Sequence, residues 1–472
     1  MGPQDPDNPK TWGRVYRWYI TMAAAFLVLN ATFASSAPEG IILQLMEHFK
    51  FGSEVATLTI AIFIAGYCVG PLIWGPISEE YGRKPVFVFS FIFYIGFQVG
   101  CALSPNTAAI LIFRLLSGIF AAAPLANSGA LIADIWDADT RGKAMAMFTL
   151  APFAGPAIGP TISGFMSVAG VSWRWVFWLL TLFSAACLGI IVFTIPETYA
   201  PIILVRRAEK LRKETGESRY WAPLERNKPT MSQRACVSFL CPSSHEYLEL
   251  TPPTQFIYGV IYLLFEAFPI VFGQGHHFNE GFVGLTFLSI LVGGVIGVVI
   301  YLLYFNPRYE AAMARYAPAP VPPEHRMEPV IYAAPLYALS FFWFGWTSYP
   351  TISFWAPLAA AVPMSVGVIW IFLGLINYTI DAYLFVAASA LAATTVVRSV
   401  FGAVFPLFAT QMFEAMNPRW ASTLLGCVAL ILMPIPLVLN RYGPYLRRKS
   451  KYSPTAKAPA PKEGEKKGAD AA

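Results

Sequence analysis

Long apolar stretches alternate with short charged ones from about residue 18 to about residue 440. Runs at 18–37, 56–74, 86–103, 108–132, 144–167 and 174–195 carry almost no charge. Each is long enough to cross the roughly 30 Å apolar core of a bilayer as a helix. A hydrophilic segment at 196–253 interrupts the pattern, and a second set follows at 254–273, 283–304, 330–349, 363–385, 390–412 and 420–440. The pattern predicts an all-α polytopic membrane protein with twelve transmembrane helices in two six-helix halves, 17–195 and 254–440. Outside them lie a tail at 1–16, the central loop 196–253, and a Lys/Pro/Ala-rich tail at 441–472 expected to be disordered. A proline-rich loop is expected at 306–329. The least marked boundary is that between spans 10 and 11, because 356–412 is nearly continuous apolar sequence.

Composition agrees with the pattern. Of 472 residues, 56% are hydrophobic and 13% charged, against about 25% charged in a soluble protein. The charge supplies what hydropathy cannot, an orientation. Of 33 Lys and Arg, Lys50, Arg174 and Arg419 fall in loops on one side, Arg114 and Arg398 lie within spans, and the remaining 28 gather on the other side. Cations collect on the cytoplasmic side of membrane proteins, so both termini are expected in the cytoplasm. The basic surplus therefore reflects topology and not nucleic-acid binding. The cations at 10–17 lead into a run of full spanning length, which reads as a retained span and not as a cleaved signal. Within the central loop, Arg206, Arg207, Lys210 and Lys213 alternate with Ile203, Leu204 and Leu211 as on a basic amphipathic helix suited to an anionic membrane surface.

The cysteines form no C-x-x-C pair: Cys68, Cys101, Cys187 and Cys427 sit in apolar runs, and Cys236 and Cys241 near the loop. His276-His277 lacks further ligands nearby, so no metal site is expected and a polar outer loop is the simpler reading. Neither H-E-x-x-H nor G-x-S-x-G occurs, and no nucleophile–base set converges, which speaks against an enzyme. The sequons at Asn30 and Asn377 fall inside spans, out of reach of glycosylation.

Candidate chemistry lies in the few polar residues that interrupt the spans. Arg114 in span 4 sits at membrane depth, where a cation costs roughly 2.5–3.5 kcal/mol on insertion scales. It either faces a wet cavity or snorkels to the nearby outer end. Asn30 lies near the middle of span 1. In span 7, Tyr258, Tyr262, Glu266 and Pro269 share one face by helical spacing. Burial on an aromatic face disfavours a charged carboxylate, which suits Glu266 to carrying a proton or binding a cationic cargo. The plainer alternative is a hydrogen bond between helices. Asp381 and Arg398 fall toward the same ends of spans 10 and 11, where they could pair structurally or act as a gate. In span 5, Gly155, Gly159 and Ser163 recur every fourth residue, a smooth face for close helix approach, with Pro160 expected to soften the helix between those contacts.

Three motifs carry a family resemblance. Gly75-Pro76-Ile77-Ser78-Glu79-Glu80-Tyr81-Gly82-Arg83-Lys84, between spans 2 and 3, resembles the G-x-L-x-D-R-x-G-R-K loop of the major facilitator superfamily, with Glu80 where that family usually has Arg. Arg114-Leu-Leu-Ser-Gly118 resembles its R-x-x-x-G-x-G element. Gly155-Pro156-Ala-Ile-Gly159-Pro160-Thr-Ile-Ser163-Gly164 resembles the G-x-x-x-G-P-x-x-G-G motif of its proton-coupled exporters, with Ser163 in place of a glycine. Over residues 12–448 the chain looks like fungal drug:proton antiporters with twelve spans, the polyamine and multidrug exporter branch, through Pro196–Pro201, Phe265–Phe272, Asn377–Tyr383 and Phe405–Phe408.

The resemblance implies the major facilitator fold and a proton-coupled antiporter that exports a small amphipathic organic compound such as a secondary metabolite, drug or toxin. Polyamines and small organic acids are the alternative cargoes; an importer or a non-transporting sensor is less favoured. It implies no cofactor beyond the proton as coupling ion. It implies a monomer with the lipid bilayer and a small-molecule cargo as partners, in the plasma membrane or, alternatively, the vacuolar membrane. Glu266, Arg114, Asn30, Tyr262, Asp381 and Arg398 become candidates for proton coupling and the cargo cavity. Gly75, Glu79, Gly82, Arg83, Lys84, Asp134 and Arg141 become candidates for a gate network on the cytoplasmic face, and Gly155, Gly159, Pro160 and Gly164 for the antiporter element. Salt bridges between helix ends can be made in one state and broken in another, although exposed pairs are worth little and the network could be ornamental.

Overall fold

The computed structural model describes residues 5, 7–226, 252–316, 321–382 and 387–449. Every regular element among them is helical. Spans 1 to 6 are Arg14–Ser36, Ser53–Tyr81, Arg83–Ala102, Thr107–Ile135, Ala151–Val168 and Arg174–Thr194. Spans 7 to 10 are Pro252–Phe268, the stretch from Glu280 to Ile300 in two segments, Glu328–Thr347 and Trp355–Ala382. Eleven stretches among the described residues are long and apolar enough to cross a membrane, and the longest, Leu391–Tyr445, runs through spans 11 and 12 into the helix Pro434–Lys449. Asn417, at φ 61° and ψ 153° before Pro418, leaves the helical region and divides span 11 from span 12.

Helices are the only open-ended elements that satisfy their own backbone in lipid. Spans 3 and 6 show the consequence on their outer faces, where Phe89, Ile92, Leu182 and Phe193 stand exposed for the acyl chains. Inside each half the packing is local: span 1 on 5, span 2 on 4, span 3 on 4 and 6, then 7 on 11, 8 on 10, and 9 on 10 and 12. The most extensive contacts between the halves are span 2 against span 11 and span 5 against span 8. The face carrying the span 2–3 loop is called the basic face below.

Several boundaries differ from those read off hydropathy. The expected ten-residue turn between spans 2 and 3 is one residue, because span 2 runs on through Glu79 and Glu80 to Tyr81 and the chain turns at Gly82, φ 100°. Span 1 does not end at Pro38; a 3-10 turn, Ala37–Ile41, and a helix, Ile42–Phe49, continue it. The expected proline-rich loop begins as helix, since a π-type turn Tyr301–Phe305 leads from span 8 into Asn306–Tyr316. The tail expected to be disordered is helical as far as Lys449. Span 5 passes through Pro156 and Pro160 without a break. The boundary between spans 10 and 11 falls at 383–386, outside the described residues, as do Cys236 and Cys241. The basic helix of the central segment is Ala200–Thr215, ended by Gly216 in the left-handed region.

Candidate functional site

A cavity lies between the two halves on the basic side of the molecule. Spans 1, 4, 5, 7, 10 and 11 and the helix Ala138–Thr149 that leads into span 5 wall it, with Phe148, Phe153, Tyr258, Phe372 and Arg398 among its lining. None of the described lining residues is Asp, Glu, Lys or His. Arg398 holds its guanidinium 5.0 Å from the Tyr258 ring centre and 5.8 Å from that of Phe372. The pairing of Arg398 with Asp381 considered from sequence does not form: Asp381 binds Arg141 and Arg326 instead.

A file of polar groups leads from this cavity toward the opposite face. The Tyr258 hydroxyl stands 3.5 Å from that of Tyr262, which stands 3.0 Å from Ser35 Oγ in span 1. The Ser35 carbonyl accepts from Arg114 Nη2 at 3.2 Å, the Ala34 carbonyl from Nη1 at 2.8 Å, and the Thr59 carbonyl from Nε at 2.9 Å. Arg114, 0% exposed, also lies over the Phe63 ring at 4.2 Å. Three carbonyls and a ring face thus replace water around it, without a carboxylate partner among the described residues. Neither snorkelling nor direct lining of the cavity describes Arg114; it fastens span 4 to spans 1 and 2. Asn30 is buried and accepts from Ser184 Oγ at 3.2 Å, which ties span 1 to span 6. Of the six cavity candidates, Arg398 lines the space and Tyr262 is one hydrogen bond from the wall.

Glu266 lies beyond Tyr262, toward the opposite face. Thr57 of span 2 and Thr410 of span 11 each donate a hydroxyl to one of its carboxylate oxygens at 2.9 Å. Pro269, three residues on, opens a π-type turn, Pro269–Gly275, as expected of a helix disturbed at a proline. Glu39, within electrostatic reach of Glu266, lies just beyond the apolar run 18–37, so hydropathy alone did not single it out. Its Oε2 is buried with no hydrogen-bond partner.

On the basic face, cation and carboxylate are arranged alike in the two halves. Arg83 at the start of span 3 meets Asp134 at the end of span 4 at 3.4 Å. Arg326, just before span 9, meets Asp381 at the end of span 10 at 2.9 Å. Arg83 is anchored further by Ser78 Oγ at 2.5 Å, Asn127 Oδ1 at 3.4 Å, and the Tyr199 ring. Glu197, from the segment after span 6, accepts from the backbone N–H groups of Arg83 and Lys84 at 2.9 and 3.3 Å. It thereby caps the otherwise unsatisfied start of span 3. A Cβ on Gly82 would lie 2.2 Å from its Oε2. Lys84 donates to the Val192 carbonyl at 3.0 Å. Glu79 sits in the last turn of span 2, and Gly75 looks onto Ala392 of span 11.

Arg141 departs from the expected network. It reaches past its own half to Asp381 at 2.6 Å, and Tyr309 adds a hydroxyl to the same carboxylate at 3.4 Å. Arg326, Tyr309 and Glu197 were not singled out from sequence, because an isolated Arg or Glu in a loop carries no local signal of its partner.

The small-residue face of span 5 lies against span 1, where a Cβ on Gly155 would meet the Phe33 backbone nitrogen at 2.5 Å and one on Gly159 would meet Ser36 Oγ at 2.1 Å. Gly164 and Pro160 face span 8 instead: a Cβ on Gly164 would lie 2.5 Å from the Glu280 carbonyl, and Gly284 approaches the Pro160 carbonyl equally closely. The motif therefore serves two interfaces at once, within the first half and between the halves.

Comparison with known proteins matches residues 20–406 to a family model described as Major Facilitator Superfamily. The chain is 39% identical over 458 residues to "Major facilitator superfamily multidrug transporter mdrA" of Aspergillus fumigatus, covering 95% of this chain and 74% of that protein. It is 39% identical over 463 residues to "Efflux pump FUB11" of Gibberella moniliformis, 96% and 77% covered. To "Citrinin biosynthesis cluster MFS transporter mrr1" of Monascus ruber it is 39% identical over 466 residues, 96% and 91% covered. Among solved structures, the proton:xylose symporter XylE bound to 6-bromo-6-deoxy-D-glucose matches with a TM-score of 0.63 at 16% identity, over 91% of this chain and 96% of that one.

Proposed function

The chain belongs to the major facilitator superfamily, and we propose that within it this protein exports a small amphipathic organic compound by proton-coupled alternating access. It is an integral membrane transporter and not an enzyme. The direction is inferred from relatives whose names describe efflux, multidrug transport or a biosynthetic cluster. The observation that carries the reading is the position of the cavity. It lies between the halves nearer the basic face, from which the Arg141–Asp381 contact separates it, while the Tyr262–Ser35, Glu266–Thr57 and Gly164–Glu280 contacts close the opposite side. With the basic face in the cytoplasm, as the cation count predicts, breaking that ion pair would open the cavity to the side from which an exporter takes up cargo. Rocking of the halves the other way about the cavity would keep the Arg141–Asp381 contact and part the opposite side, where cargo would leave.

Proton coupling is assigned to Glu266, a buried acid held by two hydroxyls at the junction of spans 2, 7 and 11. Movement of span 11 against span 2 would remove one or both hydroxyls and change how well the charged form is tolerated. We place the protein in the plasma membrane, with both termini cytoplasmic, working as a monomer with no cofactor.

The reading is tested with inside-out vesicles from yeast expressing the chain, loaded against an imposed pH gradient with a panel of labelled amphiphiles. Uptake above vector controls that rises with interior acidity is expected. Uptake indifferent to the gradient would remove proton coupling, and none for any compound would remove export.

A further inference from the structure

Arg398 is a cation with no counter-charge among the described residues, in a cavity whose other described lining residues are uncharged and mostly apolar. The Tyr258 and Phe372 ring faces attract its charge at 5.0 and 5.8 Å, but a ring face does not replace in-plane acceptors for its N–H groups. Its Nε is buried and has no hydrogen-bond partner. No carboxylate among the described residues pairs with it, since Asp381 is held by Arg141 and Arg326. The nearby hydroxyls of Thr149 and Thr395 donate to their own helix at the Met145 and Leu391 carbonyls, at 2.7 and 2.8 Å. What the cavity offers a guest is therefore a guanidinium fork with an unused donor and walls of aromatic and aliphatic carbon.

Resting on the reading that this cavity is the cargo site, we propose that it takes an organic monoanion: a carboxylate, or a comparably delocalised oxyanion, on a compact aromatic or alicyclic frame. A carboxylate accepts two parallel N–H bonds from an arginine fork, and such charge-assisted pairs are stronger than neutral ones. The frame packs on Phe148, Phe153 and Phe372, as expected of a mostly apolar pocket with few convergent polar groups. A polyamine or other cationic cargo meets repulsion from Arg398 and no acid to pair with. Of the alternative cargoes, the geometry points to organic acids over polyamines.

The test uses the full chain in lipid nanodiscs and three probes of one shape: 1-naphthoate, 1-naphthamide and 1-naphthylmethylammonium. Equilibrium binding is expected to favour the naphthoate over each of the others by at least about tenfold, the scale of one hydrogen bond to a charged group. Arg398→Gln should abolish that preference, and Arg398→Lys, which keeps the charge but not the fork, should reduce it. Equal binding of the three by the wild type, tighter binding of the ammonium, or binding of none overturns the proposal without recourse to a variant. So does an unchanged preference in a folded Arg398→Gln protein. The underlying transport reading is read separately, by counterflow of naphthoate in proteoliposomes: binding without counterflow leaves the site standing and overturns transport of that anion.

Discussion

Arg141 Nη2 donates to Asp381 Oδ1 at 2.6 Å, and so ties the helix Ala138–Thr149, which leads into span 5, to the end of span 10, one half of the transporter to the other. Both side chains are largely buried, at 7% and 14% exposure. The contact lies between the cavity and the basic face, where alternating access requires a bond that forms and breaks.

Asp381 serves two cations, which makes the two sides of the pair unequal. Arg141→Ala leaves the carboxylate paired with Arg326, so no buried carboxylate is stranded, and the expected loss is that of one hydrogen bond to a charged group, about 1.5–3 kcal/mol. Asp381→Asn strands two buried guanidinium groups, and breaking a buried pair in this way costs about 3–5 kcal/mol. Thermal unfolding in detergent should place Asp381→Asn well below Arg141→Ala. Equal midpoints would show that Arg326 does not share the carboxylate.

Arg83→Ala is expected to leave the protein in the membrane and depress transport strongly, because it empties the junction of Ser78, Asn127 and Asp134. Glu197→Gln should produce a milder form of the same defect, since its carboxylate caps the start of span 3 beside Arg83 and a neutral amide caps less well. Efflux at matched expression measures both; wild-type rates in Arg83→Ala would reduce the network to ornament.

Glu266→Gln fixes a neutral side chain that can still bond Thr57 and Thr410. Cargo binding is expected to persist while acceleration by a proton gradient disappears. Efflux from vesicles at two imposed gradients decides the matter. A mutant that responds as the wild type does would shift the proton to Glu39, the neighbouring acid with an unpartnered buried oxygen.

Gly155→Ala places a methyl group against the Phe33 backbone nitrogen, and overpacking of that kind costs roughly 1–3 kcal/mol. Gly96→Ala, in span 3, meets nothing within 4 Å and should be neutral or slightly stabilising, as for alanine in a helix. Comparing folded yield and melting of the two separates close packing from helix propensity. A similar loss in both would refute the packing account.

The orientation prediction rests on cations alone. Tags placed at Met1, near Lys210 and at Ala472 should all be protected in intact cells. Surface labelling of any one of them would contradict the assigned topology.

Most of the fold was legible in the sequence because membrane insertion is decided locally. A run of apolar residues long enough to span, and the count of cations beside it, are properties of a single stretch. The small-residue stripe of span 5 was legible for the same reason, since its period of four defines a face before any partner is known. Helix ends were less so: Gly82 alone makes the turn between spans 2 and 3, and Glu39 lies buried past the end of the first apolar run, because a helix can outlast its apolar run. Which charges meet was decided only by the tertiary structure. Arg141 and Asp381 are 240 positions apart, and Thr57 and Glu266 are 209 apart. Arg398 was seen as a cation in a span, but its isolation from Asp381 appears only when the halves are packed. An ion pair depends on distances of a few ångströms between side chains, and only the docking of one six-helix half on the other fixes those distances.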